Sequence, residues 1–273
     1  MSEANYAGLL YTSGSFSGTE EYLAHEQALR ISVNDTPFTI TMHTPGSEKE
    51  LVRGLLFTED VFTGSNADFS VRVTGTDESG KITSIDASIP EDQAGAAVTD
   101  IRHLASVSSC GLCGKTEIPD SPDLDTISRS IQFEPRMVET LFRRMKEKQK
   151  AFDISGGTHA AAAFDEKGRM LAIHEDIGRH NAVDKVIGSL LMDQSIQESA
   201  ILLVSGRISF EIVNKALRAG IPILASVSAP SDLAVRTADI HGLTLLAFCR
   251  GEKFTIYTHT GRFIGSSELN TTH

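Results

Sequence analysis

A chain of 273 residues, 40% of them hydrophobic, has room for one large or two ordinary domains and needs no disulfide staple to hold a core. A net charge of −11, with no basic run beyond the helix-spaced charges of 143–150, excludes a duplex-binding protein, which must neutralise phosphates. No apolar stretch approaches the ~20 residues of a membrane span, no secretory leader opens the chain, and three cysteines are too few for a disulfide scaffold. The expected compartment is therefore the reducing cytoplasm, with neither nucleic acid nor membrane as partner.

Residues 1–20, rich in Gly, Ser and Thr, read as a loose lead-in. Two β-type runs over 26–44 are broken by Asn34-Asp35-Thr36-Pro37, a hairpin signal. Ser47 and Glu50 form a capping-box pattern that predicts a helix running to Phe62. Strand-like runs follow at 69–74 and 81–88. Residues 1–105 thus read as a small, mainly antiparallel α+β domain.

Residues 106–134 carry Cys110-Gly111-Leu112-Cys113-Gly114 and then Pro119 and Pro122, a density of Gly and Pro that predicts a mobile loop. From residue 135 short apolar β runs alternate with helices. Helices are expected at 135–150, 181–191, 209–219 and after the cap Ser231, and strands at 158–164, 169–174, 200–204, 222–226, 243–248 and 254–258. This texture predicts an α/β domain over 135–273 with a mostly parallel sheet covered on both faces.

The cysteine pair is the first candidate for chemistry. A thiolate is the nucleophile of sulfur chemistry, and a Gly-flanked loop with Lys115 nearby gives it access and a positive neighbour. Cys110 and Cys113 are spaced so that one can hold a sulfur while the other resolves it; metal binding or plain surface thiols are the alternatives. A zinc deaminase would need H-x-E ahead of P-C-x-x-C, whereas here His174 and Glu175 are adjacent and follow the cysteines. A structural zinc site would need a second ligand pair, and Cys249 stands alone.

Three further clusters sit at expected strand ends, where ligands collect in α/β sheets. Seven of the eight residues from His174 to Asn181 are polar or Gly, and Arg179 and His180 there suit an anion at a helix N-terminus. A solvated loop with a salt bridge is the plainer alternative. Ser205-Gly206-Arg207 and the Ser226, Ser228, Ser231 turn repeat the strand–small loop–helix arrangement, so the three loops are expected to surround one pocket. Ser155-Gly156-Gly157-Thr158-His159 is a weaker signal. Phe248-Cys249-Arg250-Gly251-Glu252-Lys253 adds a basic turn between the last two strands.

These motifs together resemble the FdhD/NarQ family of formate dehydrogenase accessory sulfurtransferases. The likeness rests on Ser109-Cys-Gly-Leu-Cys-Gly-Lys115, Phe152-Asp-Ile-Ser-Gly-Gly-Thr-His159, Glu175-Asp-Ile-Gly-Arg-His-Asn-Ala-Val-Asp-Lys185, Ser205-Gly-Arg-Ile-Ser-Phe-Glu211 and the run from Ala219 to Ser231. It implies a C-terminal three-layer α/β/α domain resembling cytidine deaminase, without the zinc chemistry. It implies a sulfurtransferase that takes persulfide sulfur from a cysteine desulfurase and passes it to the molybdenum of a bis(molybdopterin guanine dinucleotide) cofactor, bound as substrate, for a formate dehydrogenase catalytic subunit. By the same resemblance Cys110 carries the persulfide with Cys113 as helper, residues 248–253 bind the cofactor, and the protein is a homodimer. Arg179, His180, Arg207 and Ser228 join that cofactor set from the loops. Two rivals remain on the residues alone: a maturation chaperone that binds the cofactor without chemistry, and a dithiol-disulfide oxidoreductase, which would want its C-x-x-C at a helix start in a thioredoxin-like unit.

Overall fold

A computed structural model describes residues 3–95 and 126–266. Cys110, Cys113 and Lys115 lie outside the described residues.

The chain opens not as a loose lead-in but as a long hairpin of β1 (Glu3–Thr12) and β2 (Ser15–Ala24). Its turn residues Ser13 and Gly14 both have positive φ (50° and 91°). Mirror-image turns of this kind match strand twist, and Gly supplies the conformation at no steric cost. The Ser-Gly dipeptide between runs containing Tyr, Leu and Phe was the available signal; the small residues around it masked it.

A four-stranded sheet follows, in the order β4-β3-β6-β5, from β3 (Gln27–Val33), β4 (Thr36–His43), β5 (Ser70–Thr76) and β6 (Ile82–Ser88). The Asn34-Asp35 turn forms as expected, with φ of 50° and 61°. Two of its three strand pairs, β3–β4 and β5–β6, are local hairpins, but β3 and β6 pair in parallel across the middle. Leu29, Ile31, Phe38 and Ile85 turn one face of this sheet onto Leu51, Val52 and Leu56 of α1 (Glu48–Thr58).

The start of α1 departs from the capping-box reading. Ser47 is left-handed (φ 59°, ψ 38°) and its side chain caps nothing, while Glu48 Oε1 accepts from Gly46 N at 2.6 Å. The cause lies in the tertiary fold. Thr44, three residues earlier, accepts Ile177 N on its hydroxyl and Lys185 Nζ on its carbonyl, and so fixes the entry to the helix from outside.

The second sheet has six strands in the order β12-β11-β10-β9-β7-β8, from β7 (His159–Phe164), β8 (Met170–Asp176), β9 (Ile201–Val204), β10 (Ile223–Ser226), β11 (Thr244–Arg250) and β12 (Lys253–Ile256). Only β9, β10 and β11 run parallel; β7, β8 and β12 are antiparallel to their neighbours. The expected mostly parallel sheet is therefore mixed. The turn 165–168 allows β7 and β8 to pair as a local hairpin, and the short 251–252 turn does the same for β11 and β12, so neither pair needs a crossover.

Both faces of the sheet are covered. Ala161 and Ala163 of β7 join one core, with α4 (Arg179–Met192), α5 (Phe210–Arg218) and α6 (Asp232–Ile240) over it. Ala160, Ala162 and Phe164 join the other, under α2 (Pro135–Lys146). The expected 135–150 helix breaks after Lys146 and resumes as α3 (Lys150–Ser155). Residues 126–134, read as the end of a mobile loop, are docked: Ile131 and Phe133 are buried in the second core and Phe133 bridges to Phe263.

The two sheets are joined where α1 crosses α4. A β-carbon on Gly54 would lie 1.9 Å from Asp184 O, and one on Gly188 would lie 1.9 Å from Glu50 O, so the two backbones touch. Beside this contact Lys215 Nζ donates to Asp184 (2.9 and 3.0 Å), Glu59 (3.1 Å) and the Thr58 hydroxyl (2.8 Å). Burial opposes the charge on Lys215, but Asp184 and Glu59 outweigh it and raise its pKa. Removing one partner of a buried pair leaves the other charge stranded. Lys215→Met is expected to cost about 3–5 kcal/mol in urea unfolding, and adding Asp184→Asn to recover a good part of that loss.

Candidate functional site

One edge of the six-stranded sheet gathers most of the motif residues. β7 and β9 are antiparallel, so His159 at the start of β7 lies beside Ser205 just after β9, and the register pairs His159 with Asp176 at the end of β8. The loops after β9, β10 and β11 leave from the same edge and hydrogen-bond to one another. Ser226 Oγ donates to Gly206 O (2.6 Å) and accepts Ser228 N (2.9 Å). Ser228 O accepts Phe248 N (3.1 Å), Val227 O accepts Arg250 Nε (3.2 Å), and Ile208 N donates to Ala229 O (3.1 Å). The structure thus brings two of the three loops expected to surround a pocket, 205–207 and 226–231, onto one edge with the 248–253 turn.

The residues from His174 to Lys185 split into two groups. The larger group builds the fold. Glu175 accepts from Ala151 N (2.9 Å), Phe152 N (2.8 Å) and the Thr158 hydroxyl (2.9 Å), which holds the start of α3 and the Gly156-Gly157 turn. Asp176 accepts from Thr44 N (3.1 Å), Gly178 N (2.8 Å) and Asn181 Nδ2 (3.1 Å) and pairs with Lys185 (2.7 Å). Asn181 also donates to Met42 O (2.7 Å). Their sequence spacing looked like a ligand cluster because buried polar seams use the same residue types. His180 belongs with this group in being buried, 3.5 Å from the Ser209 hydroxyl.

Arg179 is the exception. It opens α4, and its side chain runs beside Gly206, where an added β-carbon would meet Arg179 Cβ and Cδ at 3.4 Å and His159 Nδ1 at 3.3 Å. A β-carbon at position 206 would fit there only tightly. Arg179 Nε is buried and has no hydrogen-bond partner among the described residues. A buried guanidinium donor without a partner is costly unless something accepts from it. Burial, the Arg179 charge and, in opposition, Asp176 act on His159; the first two win and lower its pKa, keeping the imidazole neutral.

Two helix N-termini open on this edge without side-chain caps. Gly178 before α4 offers no side chain and the hydroxyl of Ser209 before α5 caps nothing, whereas Ser231 caps α6 by accepting from Ala234 N. Uncapped N-termini present free N–H groups and the positive end of the helix dipole. Arg207 is exposed on the loop between β9 and α5.

The 248–253 turn divides likewise. Phe248 sits at a register shift of the β11–β12 pair with φ 55°, and its ring is exposed. A left-handed phenylalanine on a bulge is a strained conformation of the kind that collects at functional sites. No sequence signal marks it. Cys249 points the other way: its thiol is buried in the second core, and burial pushes its pKa up to about 12. The Cys249 side chain therefore belongs to the fold. Arg250 and Lys253 are exposed partners across the turn, and Gly251 and Glu252 line a groove of about 210 Å³ with Pro135, Arg136, Glu139 and Phe254. Among the described residues no three His, Cys, Asp or Glu side chains come together as metal ligands, and no helix is long and apolar enough to cross a membrane.

The model of the FdhD/NarQ family matches residues 24–264. A protein named sulfur carrier protein FdhD from Mycobacterium tuberculosis is 42% identical over 258 residues, covering 89% of this chain and 91% of its own length. One of the same name from Saccharolobus solfataricus is 37% identical over 247 residues, covering 89% and 91%. In structure, the chain resembles a candidate formate dehydrogenase accessory protein from Desulfotalea psychrophila, with a TM-score of 0.74 at 23% identity over 96% of this chain and 99% of the other.

The electrostatic coupling at this edge is measurable without any ligand. Arg179→Gln removes the charge that opposes protonation of His159, so the His159 pKa is expected to rise toward 6.5 in an NMR titration. An unchanged value would show that the two side chains do not face each other in solution.

Proposed function

The chain belongs to the FdhD/NarQ family, and from that premise we propose that it is a cytoplasmic sulfurtransferase that carries persulfide sulfur for the maturation of a formate dehydrogenase. The donor is a cysteine desulfurase, and the receiving group is the molybdenum of a bis(molybdopterin guanine dinucleotide) cofactor held as substrate. The protein acts as a homodimer.

The observation that carries the reading is half-buried Arg179, whose buried Nε has no partner among the described residues, at an edge where two helices open uncapped. Such an edge suits phosphate oxygens. Arg207 on one loop and Arg250 and Lys253 across the 251–252 turn add positive charge, and the exposed ring of Phe248 offers a face for a base. Ser228 supplies a short hydroxyl beside them, while His180 and Cys249 support the edge from inside.

The sulfur step needs only the two thiols. Cys110 thiolate attacks the terminal sulfur of the donor's persulfide; the S–S bond breaks, the donor leaves as a thiolate, and Cys110 holds the persulfide. Cys113 thiolate then attacks the inner sulfur. A Cys110–Cys113 disulfide forms, sulfide leaves toward the acceptor with the electron pair, and a thiol reductant restores the dithiol.

Two measurements test this. Cys110→Ala is expected to abolish acquisition of radiolabelled sulfur from a desulfurase while leaving guanosine diphosphate binding intact. Arg179→Gln is expected to weaken that binding at least about tenfold, as loss of a charged hydrogen bond does. A protein that matures formate dehydrogenase with both Cys110 and Cys113 replaced would instead be a chaperone for the cofactor.

A further inference from the structure

His159 lies beside Arg179 on the sheet edge, with one ring nitrogen engaged and the other open. Ser205 Oγ accepts from Ala160 N at 2.9 Å and lies 3.5 Å from His159 Nδ1. A hydroxyl donates to the neutral ring or accepts from the imidazolium, so this partner suits either protonation state. In both states Nε2 then carries a hydrogen, and no hydrogen bond among the described residues takes it up. A β-carbon on Gly206 would meet His159 Nδ1 at 3.3 Å and Arg179 Cδ at 3.4 Å, so the ring and the arginine stem line one narrow gap. Arg179 Nε, buried and without a partner among the described residues, stands on the same stem.

The charges acting on the ring are Arg179 from α4, which opposes its protonation, and Asp176 from β8, which favours it. Asp176 is committed to Lys185, Gly178 N and Asn181. Of the other neighbours, His180 is turned to Ser209, and Arg207 on the loop and Glu211 in the first turn of α5 carry opposite signs. Burial and Arg179 therefore decide that the free ring is neutral. An anion accepting from Arg179 reverses this balance. The positive charge that opposes protonation is then paired, and negative charge stands beside Nε2–H. Opposite charge within ~4–6 Å favours the charged form of a base, by about tenfold or more in proton affinity. A diphosphate brings at least two negative charges, of which Arg179 meets one.

We propose that His159 is a proton-coupled second donor of this anion subsite: neutral in the free protein, it takes up a proton when a diphosphate accepts from Arg179, and then meets the second negative charge through Nε2–H. The inference rests on the anion-holding edge of the proposed function and gives that edge a pH dependence. A ligand that raises the proton affinity of a group must itself bind more tightly as pH falls, by the same factor. In an NMR titration of the unaltered chain, saturating guanosine diphosphate is expected to raise the proton affinity of His159 at least about tenfold. The ratio of wild-type to His159→Gln affinity for guanosine diphosphate is expected to fall at least about threefold from about pH 6 to about pH 8, and taking the ratio cancels the nucleotide's own titration. A His159 that titrates alike with and without bound nucleotide, or a ratio that does not change with pH, overturns the coupling and leaves the anion-holding edge standing. A chain that does not bind guanosine diphosphate at either pH overturns both.

Discussion

Where α1 crosses α4, Gly54 and Gly188 bring two backbones together with no room for a β-carbon, and two buried lysines close the seam on either side. Every other feature of the molecule is referred to that crossing. It fixes α4 against α1 on one side while Val183, Val186, Ile187 and Leu190 of the same helix enter the core beneath the six-stranded sheet. The N-terminus of α4 is then set in space by two packed surfaces, and Arg179 is its first residue. A site built on the end of a doubly packed helix is more rigid than one built on a loop.

The seam also explains why one short run of sequence is so polar. Asp176, Asn181, Asp184 and Lys185 all reach residues of the first sheet unit or its helix: Thr44, Met42, Thr58 and Thr44 again. Glu175 faces the other way and ties down α3. Buried ions are weak contributors to stability in themselves, but a partner lost is expensive, so such a seam specifies one relative placement of the two sheets. Arg179 lies between these welded residues and takes no share in the weld. That contrast, more than any motif, singles it out.

Much of this was legible in the sequence. The strands and helices from residue 135 onward fall close to their expected places because each is a short apolar run bounded by Gly, Ser or Pro. The C-terminal loops were expected to converge, and Ser226 and Gly206 join them. Other features were not legible, for physical reasons. The capping box of Ser47 and Glu50 gave way to the tertiary pull on Thr44. The turn between the last two strands was visible, but short buried apolar runs look alike in either direction, so the antiparallel pairing of β7, β8 and β12 was not expected. Cys249 and Phe248 are neighbours in a strand, and strand alternation sends one side chain into the core and the other to solvent; a bulge then turns Phe248 left-handed. The role of Glu175 could not be separated from that of Arg179 by spacing, since both lie in one polar run.

An acidic chain and the proposed anion-holding role of this edge are not in conflict. At physiological ionic strength a charge is screened within about 8 Å, so an approaching anion responds to the groups nearest it and little to the net charge. At this edge Arg179, Arg207, Arg250 and Lys253 stand against Glu211 in the first turn of α5 and exposed Glu252. Asp176 and Glu175 lie close by, but both are occupied by N–H, hydroxyl or ammonium donors. The weld therefore does a second service: by engaging the carboxylates of the polar run in the fold, it leaves the guanidinium between them as the donor that faces the edge uncompensated. The same division of labour keeps His159 neutral, since its pKa is set by burial and Arg179 against a carboxylate already paired with Lys185.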